Sequence, residues 1–362
     1  MNSLEKARKA IDEIDSEMAE LFEKRMDAVK EVAAYKKECG LPVFDAGREN
    51  LIIEKNSKRV KNDDYRPYYV NFLKSNMELS KAMQNRILNG MTVAYSGVEG
   101  AFAHIVSKKI FPTASFKGYS DFRAAYEAVE KGECDCAVLP VENSSNGDVG
   151  LVMDLAFFGS LHINGIYDVG VVQNLLAVKG TTMDEVKRVI SHPQALGQCA
   201  EYIRKHGFET VEAVNTAVAA KEVAALGRHD TAAIGSDEAA EKYGLKKLEA
   251  HINGSNTNTT RFAVFARTEK SKSKADKQFV MTFTVKNEAG ALGKAVSVIG
   301  EHGFNLRALK SRPTKELVWS YYFYAEGEGA IHSPEGEEML KDLKKFCNEL
   351  KVLGSFEKEV SL

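Results

Sequence analysis

The sequence lacks the features by which several functional classes are recognised. Its formal net charge is only -2 over 362 residues, and no lysine- or arginine-rich face suggests nucleic-acid binding. No apolar run approaches the roughly 20 residues that a membrane-spanning helix needs, and the N-terminal helix is charged, without the apolar segment of a signal peptide. We therefore expect a cytoplasmic protein whose partners include neither nucleic acid nor a membrane.

Cysteine is also scarce, with five residues scattered along the chain. Cys134 and Cys136 would share one face of a strand, but no second pair completes a zinc ligand set. The eight histidines show no HxxxH spacing typical of metal ligands. We expect reduced thiols, no metal and no other cofactor. The five cysteines are Cys39, Cys134, Cys136, Cys199 and Cys347.

Apolar residues make up 44% of the chain and charged residues 28%, which is typical of a globular protein large enough for two or three domains. The pattern of apolar residues changes at Met91, and a polar, lysine-rich run over 268–278 indicates a linker. The predicted divisions are a helical domain over 1–90, an α/β domain over 91–268, a linker over 269–277 and a third domain over 278–362.

The first domain is predicted to be helical throughout. Apolar residues recur at threes and fours from Leu4 to Lys36, which indicates one long amphipathic helix. Gly40 and Pro42 end it, and Asp45 is a suitable N-cap for a short second helix. A third helix is expected from Asp64 to Asn89 and Gly90.

From Met91 onward, strand-like and helical segments alternate, which predicts a mostly parallel α/β sheet long enough for two lobes. The segment after the linker predicts a βαββαβ module. In that module we expect strands near 305–310 and 317–324 and a last helix over 337–350.

Polar residues interrupt the apolar stripes of the first domain: Arg25 and Lys36 on the first helix, and Ser80 and Gln84 on the third. Long cations often extend from the edge of a core stripe into water. Two cations and an amide directed into one small bundle instead require an anionic partner. Arg25 and Lys36 are eleven residues apart, about 16 Å along one helix face, so their side chains can converge on a small ligand.

Arg8 precedes Arg25 by seventeen residues, which is about 25 Å along a straight helix and about 100° around it. Arg8 therefore cannot reach the Arg25 pocket of its own chain. A long isolated helix also leaves much apolar surface uncovered. We expect a second copy of the chain to cover it.

This arrangement resembles the all-helical class of chorismate mutases over residues 4–88. The resemblance implies chorismate as substrate and an intertwined homodimer in which Arg8 enters the site of the other chain. The matching residues are Arg8, Arg25, Lys36, Asp45, Arg48, Glu49, Ser80 and Gln84.

These residue types suit the chemistry. Chorismate is a dicarboxylate, and its rearrangement to prephenate breaks a C–O bond while charge builds on the ether oxygen. The three arginines can bind the carboxylates through paired hydrogen bonds. Lys36 and Gln84 can donate to the ether oxygen, and Glu49 can orient the substrate hydroxyl.

In the middle domain, polar stretches follow strand-like segments around Asn143, around Ser191 and Gln198, and at Thr260 and Arg261. Each could be a capping turn or structural loop. Together, and with the Gly97–Gly100 motif, they resemble prephenate dehydratases. That resemblance implies a two-lobed α/β domain like that of periplasmic binding proteins. It also implies that Asn143, Ser191 and Gln198 contact prephenate in the cleft.

Prephenate must lose hydroxide as carbon dioxide departs, and hydroxide needs a proton donor to leave. The resemblance identifies Thr260 as that donor. Arg261 is either a substrate ligand or a structural residue. The chain departs from the family pattern at Ala103 and Gln173, where many relatives have serine and histidine.

Residues 278–362 resemble the ACT domain, an α+β ferredoxin-like module that follows prephenate dehydratases and binds phenylalanine as an allosteric ligand. Lys310 replaces an acidic residue of the family motif. A purely structural dimerisation module remains the alternative. The resemblance places phenylalanine at Asn287, Gly290, Ala291, Leu292, Asn305 and Leu306.

Three functional interpretations follow. The first is a bifunctional isomerase and lyase of phenylalanine biosynthesis, which converts chorismate to prephenate and then to phenylpyruvate under feedback inhibition by phenylalanine. The second is a monofunctional dehydratase with a helical dimerisation domain, which the presence of Lys36 and Gln84 disfavours. The third is a non-enzymatic amino-acid sensor, which the grouping of Thr260 with Asn143 and Gln198 disfavours. Whether homodimers pair into tetramers is left open.

Overall fold

The computed structural model describes residues 2–145, 147–254, 258–270, 276–314 and 320–362, apart from the Ala46 side chain. The chain forms two compact units, Met1–Thr92 and Val93–Leu362.

The first unit consists of α1 (Ser3–Cys39), α2 (Ala46–Ser57) and α3 (Arg66–Asn89). Asp45 caps α2 as predicted, since its carboxylate accepts from the Arg48 amide at 2.9 Å. Helix α3 ends before Gly90 as expected, but its N-cap is Tyr65, without a side-chain hydrogen bond. The predicted start at Asp64 was therefore early, because Pro67 lies in the first turn of this helix.

Helix α1 packs against α3 through its second half. Ala33 is completely buried there, and Met77 of α3 is buried as well. Every residue from 2 to 24 is exposed, so the first half of α1 has an uncovered apolar face. The exposed apolar residues of that half are Leu4, Ile11, Ile14, Met18, Leu21 and Phe22.

The second unit contains three sheets and their flanking helices. Its helices are α4 (Phe102–Ile110), α5 (Phe122–Glu130), α6 (Gly150–Phe158), α7 (Pro193–Gln198), α8 (Ala200–His206), α9 (Thr216–Leu226), α10 (Asp237–Tyr243), α11 (Ala291–Glu301) and α12 (Pro334–Leu343). The strands are β1 (Thr92–Ser96), β2 (Ser115–Tyr119), β3 (Cys136–Asn143), β4 (Gly147–Asp148), β5 (His162–Gly170), β6 (Asn174–Ala177), β7 (Arg188–Ser191), β8 (Glu209–Glu212), β9 (Thr231–Gly235), β10 (Lys246–Glu249), β11 (Thr259–Ala266), β12 (Gln278–Val285), β13 (Asn305–Pro313), β14 (Tyr321–Glu328), β15 (Cys347–Phe356) and β16 (Val360–Ser361).

The first two sheets form two lobes. Lobe 1 contains a seven-stranded sheet of order β16-β5-β11-β3-β1-β2, with β4 paired to β3, and lobe 2 a five-stranded sheet of order β10-β6-β9-β7-β8. The predicted mostly parallel sheet was wrong, because both sheets are mixed. Strand β11 returns from lobe 2 into lobe 1 and runs antiparallel to both β3 and β5, and β6 runs antiparallel to β9.

Strands β12 to β15 form a four-stranded antiparallel sheet, of order β13-β14-β12-β15, with α11 and α12 on one face. We call this segment the C-terminal module. The predicted βαββαβ order is confirmed, but the last helix ends at Leu343 and β15 begins at Cys347, so the helix predicted over 337–350 was too long. Part of the strand predicted over 317–324 lies outside the described residues.

The module is joined to lobe 1 rather than separated from it. Its other face contributes Val280, Tyr322 and Tyr324 to the same buried cluster as Tyr126 and Phe265 of lobe 1. Strand β16 then pairs in parallel with β5, so the end of the chain extends the lobe 1 sheet. Within the described ranges, no helix is both long and apolar enough to cross a bilayer.

Candidate active sites

In the helical unit, an arginine links the first and third helices. Arg25 Nη1 of α1 donates to Ser80 Oγ of α3 at 2.6 Å and to the Asn76 carbonyl oxygen at 3.3 Å. Burial lowers the pKa of the Arg25 guanidinium. The structure therefore brings together Arg25 and Ser80, as the apolar stripes predicted.

Gln84 lies one turn beyond Ser80 on α3 and is only 8% exposed. Its Oε1 is buried and has no hydrogen-bond partner among the described residues. A buried polar group without a partner costs about 1–3 kcal/mol, so this amide is suited to a ligand. Because an amide can be flipped by 180°, either its oxygen or its NH₂ group can face that ligand.

Lys36 and Glu49, two further predicted site residues, contact other residues of the same unit. Lys36 Nζ donates to the Val43 carbonyl oxygen at 2.7 Å, which places the ammonium beside the loop before α2. Glu49 pairs with Lys81 at 3.0 Å, and Lys81 also lies 5.2 Å from the ring centre of Phe44. Our sequence reasoning missed Lys81, although it follows Ser80 directly.

Among the described residues, no hydrogen bond or ion pair joins Arg8, Asp45 or Arg48 to the buried Gln84 oxygen. Arg8 and Arg48 are exposed, and Arg8 lies about 25 Å along α1 from Arg25. The Asp45 carboxylate accepts from a backbone amide at the start of α2. Asp45 therefore caps α2, and its predicted substrate contact stays a prediction.

In the second unit, a cleft of about 440 Å³ contains residues of both lobes. Ser145 comes from the turn after β3 in lobe 1, and Gln194 and Gln198 come from α7 in lobe 2. The lining residues are Ser145, Pro193, Gln194, Gly197, Gln198, Asn253, Gly254 and Asn258.

Asn143 and Thr260 face each other across β3 and β11 beside this cleft. Asn143 Nδ2 donates to Thr260 Oγ1 at 2.8 Å and to Asn258 Oδ1 at 3.1 Å. The Asn143 Oδ1 accepts from the Ser145 amide at 3.0 Å. Since the Thr260 oxygen accepts this bond, its hydroxyl hydrogen can point to a ligand.

Two buried amides of this unit each have one atom without a hydrogen-bond partner among the described residues: Gln173 Oε1 and Asn258 Nδ2. Gln173 Nε2 donates to Gln198 Oε1 at 3.4 Å. The predicted site residue Gln198 therefore contacts Gln173, which was notable in the sequence only as a departure from the family pattern. Asn258 was missed altogether. Asn258 lies directly before β11 and two residues before Thr260, and this spacing could have indicated that the two side chains point to the same side.

Ser191 lies at the end of β7 and is fully buried. Its hydroxyl donates to the Ile234 carbonyl oxygen of β9 at 2.7 Å. This bond uses the hydroxyl hydrogen to join β7 to β9, and the predicted contact of Ser191 with prephenate stays a prediction.

Arg261 faces away from the cleft, because neighbouring residues on a strand point to opposite sides. Its guanidinium pairs with Glu142 at 3.0 Å and with Glu326 at 2.8 Å, and also with Glu359. Of the two roles left open for Arg261, these contacts favour the structural one, an ionic contact between lobe 1 and the C-terminal module.

The predicted allosteric residues fall into two groups. Asn287 and Leu292 line a cavity of about 360 Å³ at one end of the module. Gly290, with φ +81°, is the N-cap of α11 and directly precedes Ala291. Asn305 and Leu306 begin β13 at the other end, where β13 pairs with the end of β14. The two groups are separated by the length of β12, about 23 Å.

Comparison with known proteins identifies two segments of the chain. The family model for chorismate mutase type II matches residues 7–85, and the model for prephenate dehydratase matches residues 93–270.

Similar proteins extend over the whole chain. The bifunctional chorismate mutase/prephenate dehydratase of Aquifex aeolicus is 32% identical over 99% of this chain and 99% of its own length. The bifunctional enzyme of Enterobacter agglomerans is 28% identical over 99% and 97%. The arogenate dehydratase/prephenate dehydratase 2 of Arabidopsis thaliana is 33% identical over 86% and 83%.

Solved structures match the fold of the second unit. The prephenate dehydratase of Arthrobacter aurescens, solved in complex with L-Phe, superposes with a TM-score of 0.69 at 24% identity, covering 74% of this chain and 90% of that one. GqqA, described as a novel type of quorum-quenching acylase, gives 0.68 at 28% identity, covering 75% and 98%. Matches to both family models and a full-length relative above 30% identity show that the chain belongs to the family of bifunctional chorismate mutase/prephenate dehydratases, with both the isomerase and the lyase activity.

Proposed function

We propose that the chain catalyses two consecutive steps of phenylalanine biosynthesis at separate sites and is inhibited by phenylalanine bound to the C-terminal module. The observation that supports the dehydratase site most directly is the Asn143–Thr260 pair beside the interlobe cleft. Purified protein supplied with chorismate alone is expected to form phenylpyruvate. Prephenate that accumulates without phenylpyruvate would contradict the second step.

For the mutase step, Arg25 and Lys36 bind the substrate carboxylates or ether oxygen as cations, and Gln84 donates to the ether oxygen. The buried, unpartnered end of the Gln84 amide supports this role. Charge builds on that oxygen as the C–O bond breaks, so a donor already in place stabilises the transition state more than the substrate. Arg48 and Glu49 contact the substrate from α2, as the family resemblance implies.

The mutase site is completed by a second copy of the chain. The uncovered apolar face of α1 spans its first half, from Leu4 to Phe22, and burial of this face in a homodimer is favoured by the hydrophobic effect. Arg8 lies in the same half, so that dimer gives it a route into the partner's site.

For the dehydration step, the Thr260 hydroxyl protonates or hydrogen-bonds the departing hydroxide of prephenate while carbon dioxide leaves. Asn143 holds the threonine oxygen at 2.8 Å, which directs the hydroxyl hydrogen to the cleft. Asn258 Nδ2 is buried without a partner among the described residues and donates to a prephenate carboxylate, as does the Gln198 amide, whereas the unpartnered Gln173 Oε1 accepts from a hydroxyl.

For regulation, phenylalanine binds where Asn287, Ala291 and Leu292 of one chain approach Asn305 and Leu306 of another. The separation of about 23 Å within one module favours a site formed by two chains. The resemblance to ACT domains and the Arthrobacter aurescens complex with L-Phe support phenylalanine as the ligand.

Isothermal calorimetry with phenylalanine tests this regulatory site. Gly290 has φ +81°, so Gly290→Ala strains the loop by about 1 kcal/mol and obstructs the approach to its amides. We expect this variant to bind phenylalanine at least about tenfold more weakly, as a loss of about 1.4 kcal/mol gives. Gly293→Ala is the matched control, because Gly293 lies in α11 without positive φ and with open space around it. Equal affinity of both variants and the parent chain would contradict the site.

A further inference from the structure

Strands β3 and β11 present two residue pairs back to back. Thr260 lies opposite Asn143 and faces the cleft, whereas Arg261 lies opposite Glu142 and faces the C-terminal module. Both pairs are bonded: Asn143 to Thr260 at 2.8 Å and Arg261 to Glu142 at 3.0 Å. An ionic pair therefore stands directly behind the proposed catalytic pair, on the same two strands.

The strand pairing is irregular at this point. Arg261 pairs with Glu142, but Phe262 pairs with Pro140, so the register shifts by one residue beside the ionic pair. An extra residue of this kind interrupts the ladder and bends the strand, and Pro140 has no backbone N–H to donate. The ladder between β3 and β11 is therefore interrupted beside this pair, although β11 keeps a regular ladder with β5 here, and side-chain bonds contribute to the alignment of β3 with β11.

Residues of the C-terminal module contact both members of this ionic pair. Glu326 of β14 is 5% exposed and accepts two hydrogen bonds from Arg261, at 3.1 and 2.8 Å. Such two-point contacts fix the plane of a guanidinium as well as its position. Glu359, which precedes β16, adds a further contact to Arg261. Lys310 of β13 pairs with Glu142 at 2.9 Å.

Acidic groups outnumber basic groups around Arg261. Besides Glu142, Glu326 and Glu359, Asp168 of β5 lies 3.6 Å from its Nε. Removal of one acid therefore leaves the guanidinium paired. This matters because a buried cation without a partner would destabilise the whole fold and obscure any local effect.

We propose that Arg261 is a positioning residue for dehydration: held by Glu326 and Glu359, it fixes Glu142 and so aligns Asn143 with Thr260 on the opposite face. This inference rests on the proposed role of the Asn143–Thr260 pair. The module then sets the geometry of the cleft through an ionic contact that involves neither the cleft nor the proposed phenylalanine site. Lys310 belongs to the same contact. Where the family has an acidic residue, this chain has a lysine, and that lysine pairs directly with Glu142.

The test is Glu326→Gln in the full-length chain. The exchange keeps the side-chain shape and removes the charge that orients Arg261. We expect kcat for prephenate dehydration to fall about tenfold to a hundredfold, since small displacements of reacting groups have effects of this size. We expect KM to change less than about threefold, because binding groups in lobe 2 are untouched. The urea unfolding curve of the same sample, compared with that of the parent chain, measures whether the second unit is intact.

Glu328→Gln is the matched control. Glu328 lies two residues along the same strand and contacts Arg307 and Asn305 instead of Arg261. Arg307 keeps its other partner, Glu359 at 3.1 Å, when Glu328 is changed, so parental kcat is expected. Glu359→Gln provides a second variant should Glu326→Gln not fold, and it is expected to lower kcat in the same way. Parental kcat in both Arg261-facing variants would overturn the inference, as would a loss that appears equally in Glu328→Gln. If Thr260→Val also keeps full activity, the proposed catalytic pair fails instead.

Discussion

The Asn143 side-chain amide donates to the Thr260 hydroxyl oxygen at 2.8 Å, although the two residues are 117 positions apart in sequence. Thr260→Val keeps the side-chain shape and removes the hydroxyl. We expect it to abolish most phenylpyruvate formation, so that prephenate accumulates from chorismate. Thr259→Val is the control, because its side chain points to the other side of β11. Phenylpyruvate formed at the parental rate by Thr260→Val would assign the proton donor to another group.

Gln84 offers a second test, in the helical unit. We expect Gln84→Ala to lower chorismate turnover about 100- to 1,000-fold, the loss typical of one transition-state donor. Dehydration of added prephenate should remain near the parental rate, since the second unit has its own core. Asn85→Ala is the matched control, because Asn85 is the next residue and is exposed. Mutase activity is measured by chorismate consumption, and a near-parental rate for Gln84→Ala would remove this residue from the mechanism.

A shared mutase site predicts complementation between inactive chains. Arg8→Ala and Arg25→Ala each disable both sites of a homodimer. In a mixed dimer, one site has both lesions and the other has neither, so activity reappears. The measurement is mutase activity after joint refolding, with differently tagged chains to prove that mixed dimers formed. Inactive mixed dimers would show that Arg8 does not serve the partner's site.

The acidic cluster around Arg261 predicts a dependence of stability on pH. Burial and the charge of Glu359 raise the pKa of Asp168 above its ordinary value of 3.8. The folded state therefore binds this proton more tightly than the unfolded state does, and the contribution of Asp168 to stability falls as pH rises from 3.8 through the folded pKa. Above that pH, the ionised carboxylate destabilises the fold.

Asp168→Asn removes this titration. The measurement is the urea midpoint of both chains between about pH 4 and 8. As pH rises, the midpoint of the variant is expected to fall less than that of the parent chain, so the stability of the variant exceeds that of the parent by most at about pH 8. Parallel curves would mean that Asp168 keeps its ordinary pKa in the folded protein.

Local sequence patterns predicted the helical unit well. The cap at Asp45 and the polar positions Arg25, Ser80 and Gln84 all depend on spacings of three to four residues, which a helix translates directly into neighbours. The same rule misled at the last helix. Leu340, Leu343 and Cys347 continue the helical spacing, but pairing of β15 with β12 prevails over that local preference from Cys347 onward.

The roles of Thr260 and Arg261 show what local patterns cannot supply. Alternation along a strand separates the two residues onto opposite faces, yet it does not say which face meets the cleft. Glu326 and Glu359, which occupy the other face, come 65 and 98 residues later in the chain. Strand direction was missed for the same reason, since the pattern of β11 is similar whether the strand runs with or against its neighbours.

The insertion of β11 between β3 and β5 has a consequence for the order in which the molecule folds. Lobe 2 is built from one continuous stretch, from β6 to β10, and its strand pairs join residues that are closer in sequence than those of β11 with β3 or of β16 with β5. Lobe 1 has to wait for β11 and then for β16, which pairs with β5 from the other end of the unit. Because long loops close slowly, lobe 2 amides should gain protection first in pulse-labelled hydrogen exchange during refolding. During synthesis on the ribosome, the pairing of β11 with β3 that holds Thr260 beside Asn143 cannot form until β11 has emerged, so the dehydratase cleft forms after lobe 2.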